Sequence, residues 1–158
     1  MKKIHILTIA LIVLLTSAFT ASILWKADEK TSTVNWDGAG KKGTFSNLSA
    51  TINFDKANLK DSKIIAIIDV KTIKAGNERL DSHLLSPDFF NAEKFPKITF
   101  TSTEITSSAT GFIAKGTLQM KDSTKVIELP FTFTEEGKDK AVFNGTMTVM
   151  AGDYGLWF

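Results

Sequence analysis

The fold is decided by the stretch GFIAKGTLQM at residues 111–120, in which apolar and polar side chains alternate. Phe112, Ala114, Gly116, Leu118 and Met120 fall on one face, a period of two that is typical of a β-strand with one buried side. The same alternation predicts three further strands, over residues 97–105, 126–134 and 141–150.

Toward the N-terminus the strand signals are shorter and are separated by turn-forming residues. They predict strands over residues 22–27, 31–36 and 64–70, and a turn at the glycine-rich segment 38–43. A strand over residues 44–54 is also predicted, but its alternation slips by one between Phe45 and Leu48, which indicates a bulge or a bend. Residues 64–70 form a β-branched run that we expect to be buried on both faces. Short strands spaced by turns predict an all-β, antiparallel barrel or sandwich.

Residues 75–94 break the pattern, since they show no alternation and instead predict a helical excursion at about residues 77–91. Asn77 is a suitable N-cap, and Leu80 and Leu84 have the i, i+4 spacing of a helix face. The SPD triplet at residues 86–88 ends the helix and starts a second short turn.

The amino-acid composition excludes several kinds of functional site. The chain has 158 residues, enough for one domain, with 12 phenylalanines against 1 tyrosine and 3 tryptophans. Most of its aromatic surface therefore has no polar group and favours a dry environment. It has no cysteine, which excludes disulfides, thiol catalysis, thiolate metal sites and a lipoprotein anchor.

Residues 1–21 have the parts of an export signal. Lys2 and Lys3 precede an almost uninterrupted apolar run over residues 4–19, which is short for a membrane span. We expect cleavage, a periplasmic or secreted location and a mature domain over residues 22–158; an uncleaved anchor is the alternative. Removing Lys2 and Lys3 leaves 17 basic against 17 acidic residues, so no nucleic-acid partner and no stable membrane insertion are expected.

The stretches NERLDSHLLSPDFFN (residues 77–91) and KFPKITF (residues 94–100) resemble the signature of the YceI-like, polyisoprenoid-binding family. The resemblance extends to Trp25, to Trp36, to the Gly43-x-Phe45 motif and to the turn at residues 153–155, so it covers nearly all of the mature chain. It implies an extended, lipocalin-like antiparallel β-barrel in an exported protein. It also implies that the interior holds a polyisoprenoid or another long-chain amphiphilic lipid, with no other cofactor.

In that interpretation the ligand contacts apolar side chains that face the barrel interior. The predicted ligand-binding residues are Phe45, Ile67, Phe89, Phe90, Phe100, Phe112, Leu118, Phe131 and Phe143. A packed core and a ligand tunnel both need apolar side chains that face inward, so these residues do not distinguish the two. A glycine at the inward position 116 would leave room for a cavity.

Arg79, Asp81 and His83 admit three interpretations: they brace the excursion, they contact a polar head group, or they catalyse a reaction on that head group. No nucleophile motif or metal-ligand spacing accompanies them, so we predict no catalytic residue, no metal site and no enzyme.

One departure from the family concerns the C-terminus. Family members normally continue for another strand beyond the turn at residues 153–155, where this chain reaches Phe158. An open barrel edge, pairing with a partner or forming a homodimer, is therefore the alternative function.

Overall fold

The computed structural model describes residues 23–157, so the predicted export signal lies outside the described residues. Within residues 23–157, nine strands and one α-helix follow one another, with short 3-10 turns at Leu59–Asp61, Val70–Thr72 and Ala151–Tyr154. The elements are β1 (Leu24–Lys26), β2 (Val34–Gly38), β3 (Lys41–Phe45), β4 (Leu48–Asn53), β5 (Lys63–Asp69), α1 (Glu78–Leu85), β6 (Lys97–Ser108), β7 (Gly111–Met120), β8 (Ser123–Glu135) and β9 (Ala141–Gly145).

Seven strands form one antiparallel sheet in the order β1-β4-β5-β6-β7-β8-β9, and β2 and β3 form a separate hairpin. The sheet is curled into a half-barrel, because Trp25 at one end of this order contacts Phe133 and Phe143 at the other. The predicted all-β antiparallel barrel with a helical excursion is confirmed. In residues 23–157, β1 and β9 are the edge strands and do not pair with each other.

The segment predicted as a turn over residues 38–43 is instead the tip of the β2–β3 hairpin. Only Ala39 and Gly40 turn, both with positive φ (51° and 72°), which is the backbone that a two-residue hairpin requires. Two main-chain hydrogen bonds of 2.8 Å between Thr44 and Lys74 attach the hairpin to the segment after β5. Gly43 lies against the Lys74 carbonyl and the Trp36 ring, so no larger residue fits there.

The slip in alternation between Phe45 and Leu48 marks a complete break between two strands. Asn47 adopts a left-handed conformation (φ 55°), which an asparagine tolerates, and separates β3 from β4. At the predicted bulge or bend the chain therefore leaves the β2–β3 hairpin and enters the seven-stranded sheet.

Strand β5 has one interior face, and the prediction that Ile67 lines the interior is wrong. Ile64, Ala66 and Ile68 pack on the core, whereas Ile67 pairs with Ser49 and Thr99 on the outer face. Ile65 lies on that same outer face and is also half-buried, so the run is not fully buried on both sides. An unbroken apolar run carries no alternation that could have distinguished the two faces.

Gly116 does face the interior, but it does not create a cavity. A Cβ at this position would collide with the Thr101 carbonyl and would lie 2.7 Å from the Ser102 Cα. The cause is a bulge in β6 between Ser102 and Glu104, which brings the β6 backbone against β7. The glycine is required by this close backbone approach.

The predicted strand over residues 141–150 forms a ladder with β8 as far as Gly145, followed by one more hydrogen bond, from the Thr146 N–H to the Pro130 carbonyl. Beyond it the chain runs to the 3-10 turn Ala151–Tyr154 and inserts Tyr154 (1% exposed) and Leu156 (6% exposed) into the core.

The helical excursion matches its prediction closely. The Asn77 side chain accepts a 2.8 Å hydrogen bond from the Leu80 amide, which caps α1, and Leu84 is buried. No helix in residues 23–157 is long and apolar enough to span a bilayer.

Candidate ligand-binding interior

The interior of the half-barrel holds a cluster of six aromatic rings. Phe54, directly after β4, is its centre: it is 2% exposed, and four other rings lie edge-on to it with centroids at 4.9–5.7 Å. Such edge-to-face geometry at 4.5–7 Å is favourable for aromatic pairs. We call this set the aromatic cluster; its members are Trp25, Phe54, Phe112, Phe131, Phe133 and Phe143.

One side of the aromatic cluster is a seam where the two ends of the sheet meet. Trp25 on β1 lies 5.6 Å from Phe133 on β8 and 6.4 Å from Phe143 on β9, centroid to centroid. Above it, Lys56 forms a 2.7 Å ion pair with Glu135 and places its ammonium 5.4 Å from the Phe133 centroid. Both charged side chains are about half exposed, and such pairs contribute at most about 1 kcal/mol. Side-chain contacts, without main-chain pairing, therefore close the seam.

The seam gives the cluster a solvent-facing side. Trp25, Phe112, Phe133 and Phe143 are half-buried, while Phe131 is 5% exposed and completes the buried floor with Phe54. The indole N–H of Trp25 is buried and has no hydrogen-bond partner within residues 23–157. A buried donor without a partner is costly, so this N–H is suited to an oxygen of a ligand.

A second group of rings packs beneath α1. Phe45 lies 6.0 Å from Phe90, and Phe89 lies 5.1 Å from Phe90. All three are 2–7% exposed, and Phe100 and Leu118 are buried in the same core at 4% and 1%. The structure thus brings eight of the nine residues predicted to bind ligand onto the interior side, in two groups, and excludes Ile67.

The predicted polar residues Arg79, Asp81 and His83 do not converge on one site. Asp81 is buried and accepts a 2.6 Å hydrogen bond from the Ala75 amide, while its other oxygen lies 3.3 Å from the Lys74 ammonium. This carboxylate braces α1 against the preceding loop. Arg79 and His83 are exposed one helical turn apart, and the His83 ring contacts Phe89 at 6.0 Å. Within residues 23–157 the guanidinium of Arg79 has no ion pair, so it does not share the bracing role.

Tyr154, the single tyrosine, is buried at the C-terminal turn, and its hydroxyl has no hydrogen-bond partner within residues 23–157. Burial raises the pKa of Tyr154 above its ordinary value of 10.0, and the neighbouring Asp153 carboxylate adds to the rise. The turn is held by Gly155 (φ 66°), whose carbonyl accepts a 3.2 Å hydrogen bond from the Lys121 ammonium.

The aromatic cluster contains three residues that were not predicted to bind ligand: Trp25, Phe54 and Phe133. Phe133 shares its alternation phase with Phe131, so the strand pattern already placed it inward. Phe54 and Trp25 belong to the cluster through contacts across the barrel, which no local spacing indicates. No group of three or more His, Asp or Glu side chains that could hold a metal occurs in residues 23–157.

Comparison with known proteins agrees with this architecture. The sequence model of the YceI-like domain matches residues 25–158. The chain belongs to the YceI-like family. The resemblance indicated by residues 77–100 is thereby confirmed over nearly the whole of the described chain.

Proteins from several bacteria are similar to this chain in sequence. A UPF0312 protein of Yersinia enterocolitica is 33% identical over 97 residues, which cover 61% of this chain and 50% of the relative. A UPF0312 protein of Vibrio cholerae is 30% identical over 121 residues, which cover 73% and 64%. The chain spans about half to two thirds of the length of these relatives.

Two solved structures are similar to this chain in fold. The Campylobacter jejuni YceI protein matches with a TM-score of 0.64 and 26% identity, covering 84% of each chain. Burkholderia cenocepacia BcnA matches with a TM-score of 0.70, covering 78% of this chain and 79% of that chain; at 24% identity this likeness concerns the fold alone.

Proposed function

We propose that this YceI-like protein binds a polyisoprenoid or another long-chain amphiphilic lipid against the aromatic cluster and acts as an exported, non-catalytic carrier or reservoir. The observation that carries the proposal is the seam, where, within residues 23–157, half-buried rings on an apolar floor are covered by side-chain contacts without main-chain pairing. A slender lipid tail can separate these side chains without breaking main-chain hydrogen bonds between strands.

The driving force is desolvation of the lipid tail. Each methylene that moves from water onto a dry apolar surface contributes about 0.8 kcal/mol, so a long tail binds well with few polar contacts. Phe54 and Phe131 form the floor, and Trp25, Phe133 and Phe143 form the sides. The unpartnered Trp25 N–H supplies one donor for a polar atom of the ligand.

The placement of the polar residues argues against the alternative of an enzyme acting near His83. Asp81 is committed to Ala75 and Lys74, and Arg79 and His83 are exposed on another side of the helix. Without a convergent acid, base and binding pocket, these side chains lack the geometry for acid–base catalysis.

The experiment uses Trp25 as a reporter. With Trp36→Phe and Trp157→Phe installed, Trp25 is the single tryptophan of the chain, which has 3 in all. Titration with a long-chain prenyl alcohol is expected to change the Trp25 emission and to saturate near one ligand per protein. No change at any prenyl alcohol or fatty-chain concentration would contradict the proposal.

A matched pair of truncations locates the site. Phe143→Ala removes a ring of the seam and is expected to weaken binding about tenfold or more, the equivalent of roughly 1.5–3 kcal/mol for one buried side chain. Phe95→Ala removes a half-buried ring outside the aromatic cluster, beside Lys94, and is expected to leave affinity unchanged. Equal losses in the two variants would place the ligand elsewhere.

A further inference from the structure

The aromatic cluster has a pair of charges at its solvent-facing side. Lys56 follows Phe54 by two residues and Glu135 follows Phe133 by two residues, so each charge lies just beyond a ring of the cluster. Phe133 and Glu135 belong to one strand, β8, in which every second side chain lies on the same face. The inward row of β8 therefore changes from rings to a carboxylate where the interior meets solvent.

Hydrogen-bond donors and an acceptor meet at this point of the seam. The Lys56 ammonium lies 5.4 Å from the Phe133 centroid and 2.7 Å from a carboxylate oxygen of Glu135. The Trp25 ring also borders Phe133, at 5.6 Å, and its buried N–H has no partner within the described part of the chain. An indole N–H only donates, and an ionised carboxylate only accepts. Two donors and one acceptor are thus available here, and the opposite charges of Lys56 and Glu135 balance.

We infer that Trp25, Lys56 and Glu135 form a head-group subsite that selects a lipid with an uncharged head group able to donate and to accept hydrogen bonds, such as an alcohol. The inference rests on the proposed function, since it places the head of the lipid whose tail contacts the aromatic cluster. A hydroxyl has one O–H donor and two acceptor lone pairs. It can donate to Glu135 while it accepts from the Trp25 N–H or from Lys56, so each of these groups has a partner.

The same two charges disfavour ionised head groups. A carboxylate or phosphate beside Lys56 would lie close to Glu135, and juxtaposed like charges are unfavourable. A cationic head group would be repelled by Lys56 in the same way, and an ammonium offers no acceptor to the Trp25 N–H. Lys56 alone would attract an acid, so the residue that determines specificity against acids is Glu135.

Two ligands with the same chain and different heads test the inference: geranylgeraniol, an alcohol, and geranylgeranoic acid, a carboxylate in mildly alkaline buffer. Each is titrated against the emission of Trp25 in the Trp36→Phe, Trp157→Phe background. The protein is expected to bind the alcohol about tenfold or more tightly than the acid. Glu135→Gln removes the charge and keeps an acceptor oxygen. It is expected to strengthen binding of the acid about tenfold and to change binding of the alcohol by less than about twofold.

The neighbouring ion pair supplies a matched control. Glu136 forms a 2.7 Å pair with Lys140, and its side chain is 46% exposed against 43% for Glu135. Glu136→Gln changes the net charge by the same amount and is expected to keep the full preference for the alcohol.

The outcomes separate this inference from the proposed function. Equal affinities of the wild-type protein for the two ligands would overturn the inference and leave lipid binding intact. An unchanged preference in Glu135→Gln, or the same loss of preference in Glu136→Gln, would do so as well. Binding of neither ligand to the wild-type protein would overturn the proposed function together with the inference.

Discussion

The indole of Trp25 on β1 lies 5.6 Å from the ring of Phe133 on β8, so the second residue of the first strand contacts the strand next to the opposite edge of the sheet. This contact curls seven antiparallel strands into a half-barrel. It also defines where the interior meets solvent. The proposed lipid binding depends on this relationship, because a seam of rings is easier to open than a hydrogen-bonded ladder.

Phe54 is expected to be the most costly ring to remove. It is 2% exposed and contacts four other rings, so Phe54→Ala leaves a cavity in the centre of the cluster. We expect a loss of about 3–5 kcal/mol in the free energy of unfolding. Urea unfolding followed by circular dichroism measures it. Phe95→Ala, at a half-buried ring, should cost less; a loss as large as that of Phe54→Ala would contradict the central packing role.

Gly116→Ala tests whether this glycine is needed by the backbone rather than by a cavity. The added Cβ meets main-chain atoms of Thr101 and Ser102, which cannot move without disturbing the β6–β7 ladder. We expect a loss of about 1–3 kcal/mol, the usual cost of overpacking. Gly38→Ala is the control, because a Cβ there meets no atom within 4 Å. A neutral or stabilising Gly116→Ala would show instead that space is available.

Substitutions of Asp81, Arg79 and His83 on α1 are expected to have different effects on stability, measured by thermal unfolding. Asp81→Ala leaves the Ala75 amide without its 2.6 Å partner and is expected to cost about 1–3 kcal/mol. Asp81→Asn keeps an acceptor oxygen and should cost less. Arg79→Ala and His83→Ala, both at exposed positions, are expected to change stability by less than about 0.5 kcal/mol. A larger loss for Arg79→Ala than for Asp81→Ala would refute the assignment of the brace.

The buried hydroxyl of Tyr154 is expected to make the stability of the fold depend on pH in the alkaline range. Its folded-state pKa is raised above 10.0, so the unfolded chain loses the phenolic proton first as the pH rises. Stability is therefore fully present below pH 10.0 and falls as the pH rises through the folded-state pKa. Tyr154→Phe should remove this contribution while costing little at neutral pH, because the hydroxyl has no partner in residues 23–157.

The measurement is simple because the chain has 1 tyrosine. Tyrosinate absorbance in the folded protein should rise at a higher pH than in the denatured protein. Coincident titrations in the two states would contradict the burial of this hydroxyl.

Much of the fold was predictable because local signals agree with the tertiary structure. The period of two gave the bounds of β7 without error, and Asn77 indicated the start of α1. Prediction failed where the signal was ambiguous or distant. Ile67 lies in an unbroken apolar run, so neither face was distinguished. At Asn47 a single left-handed residue separates two strands that belong to different sheets. Trp25 and Phe54 join the candidate site through contacts across the barrel, which sequence spacing does not report.

Native mass spectrometry of the purified protein, followed by solvent extraction and identification of bound lipids, tests the central claim most directly. The account predicts one long-chain isoprenoid or fatty-chain amphiphile per chain, lost or diminished in Phe143→Ala and retained in Phe95→Ala. A protein that is isolated empty and takes up no added prenyl or fatty-chain lipid would contradict it.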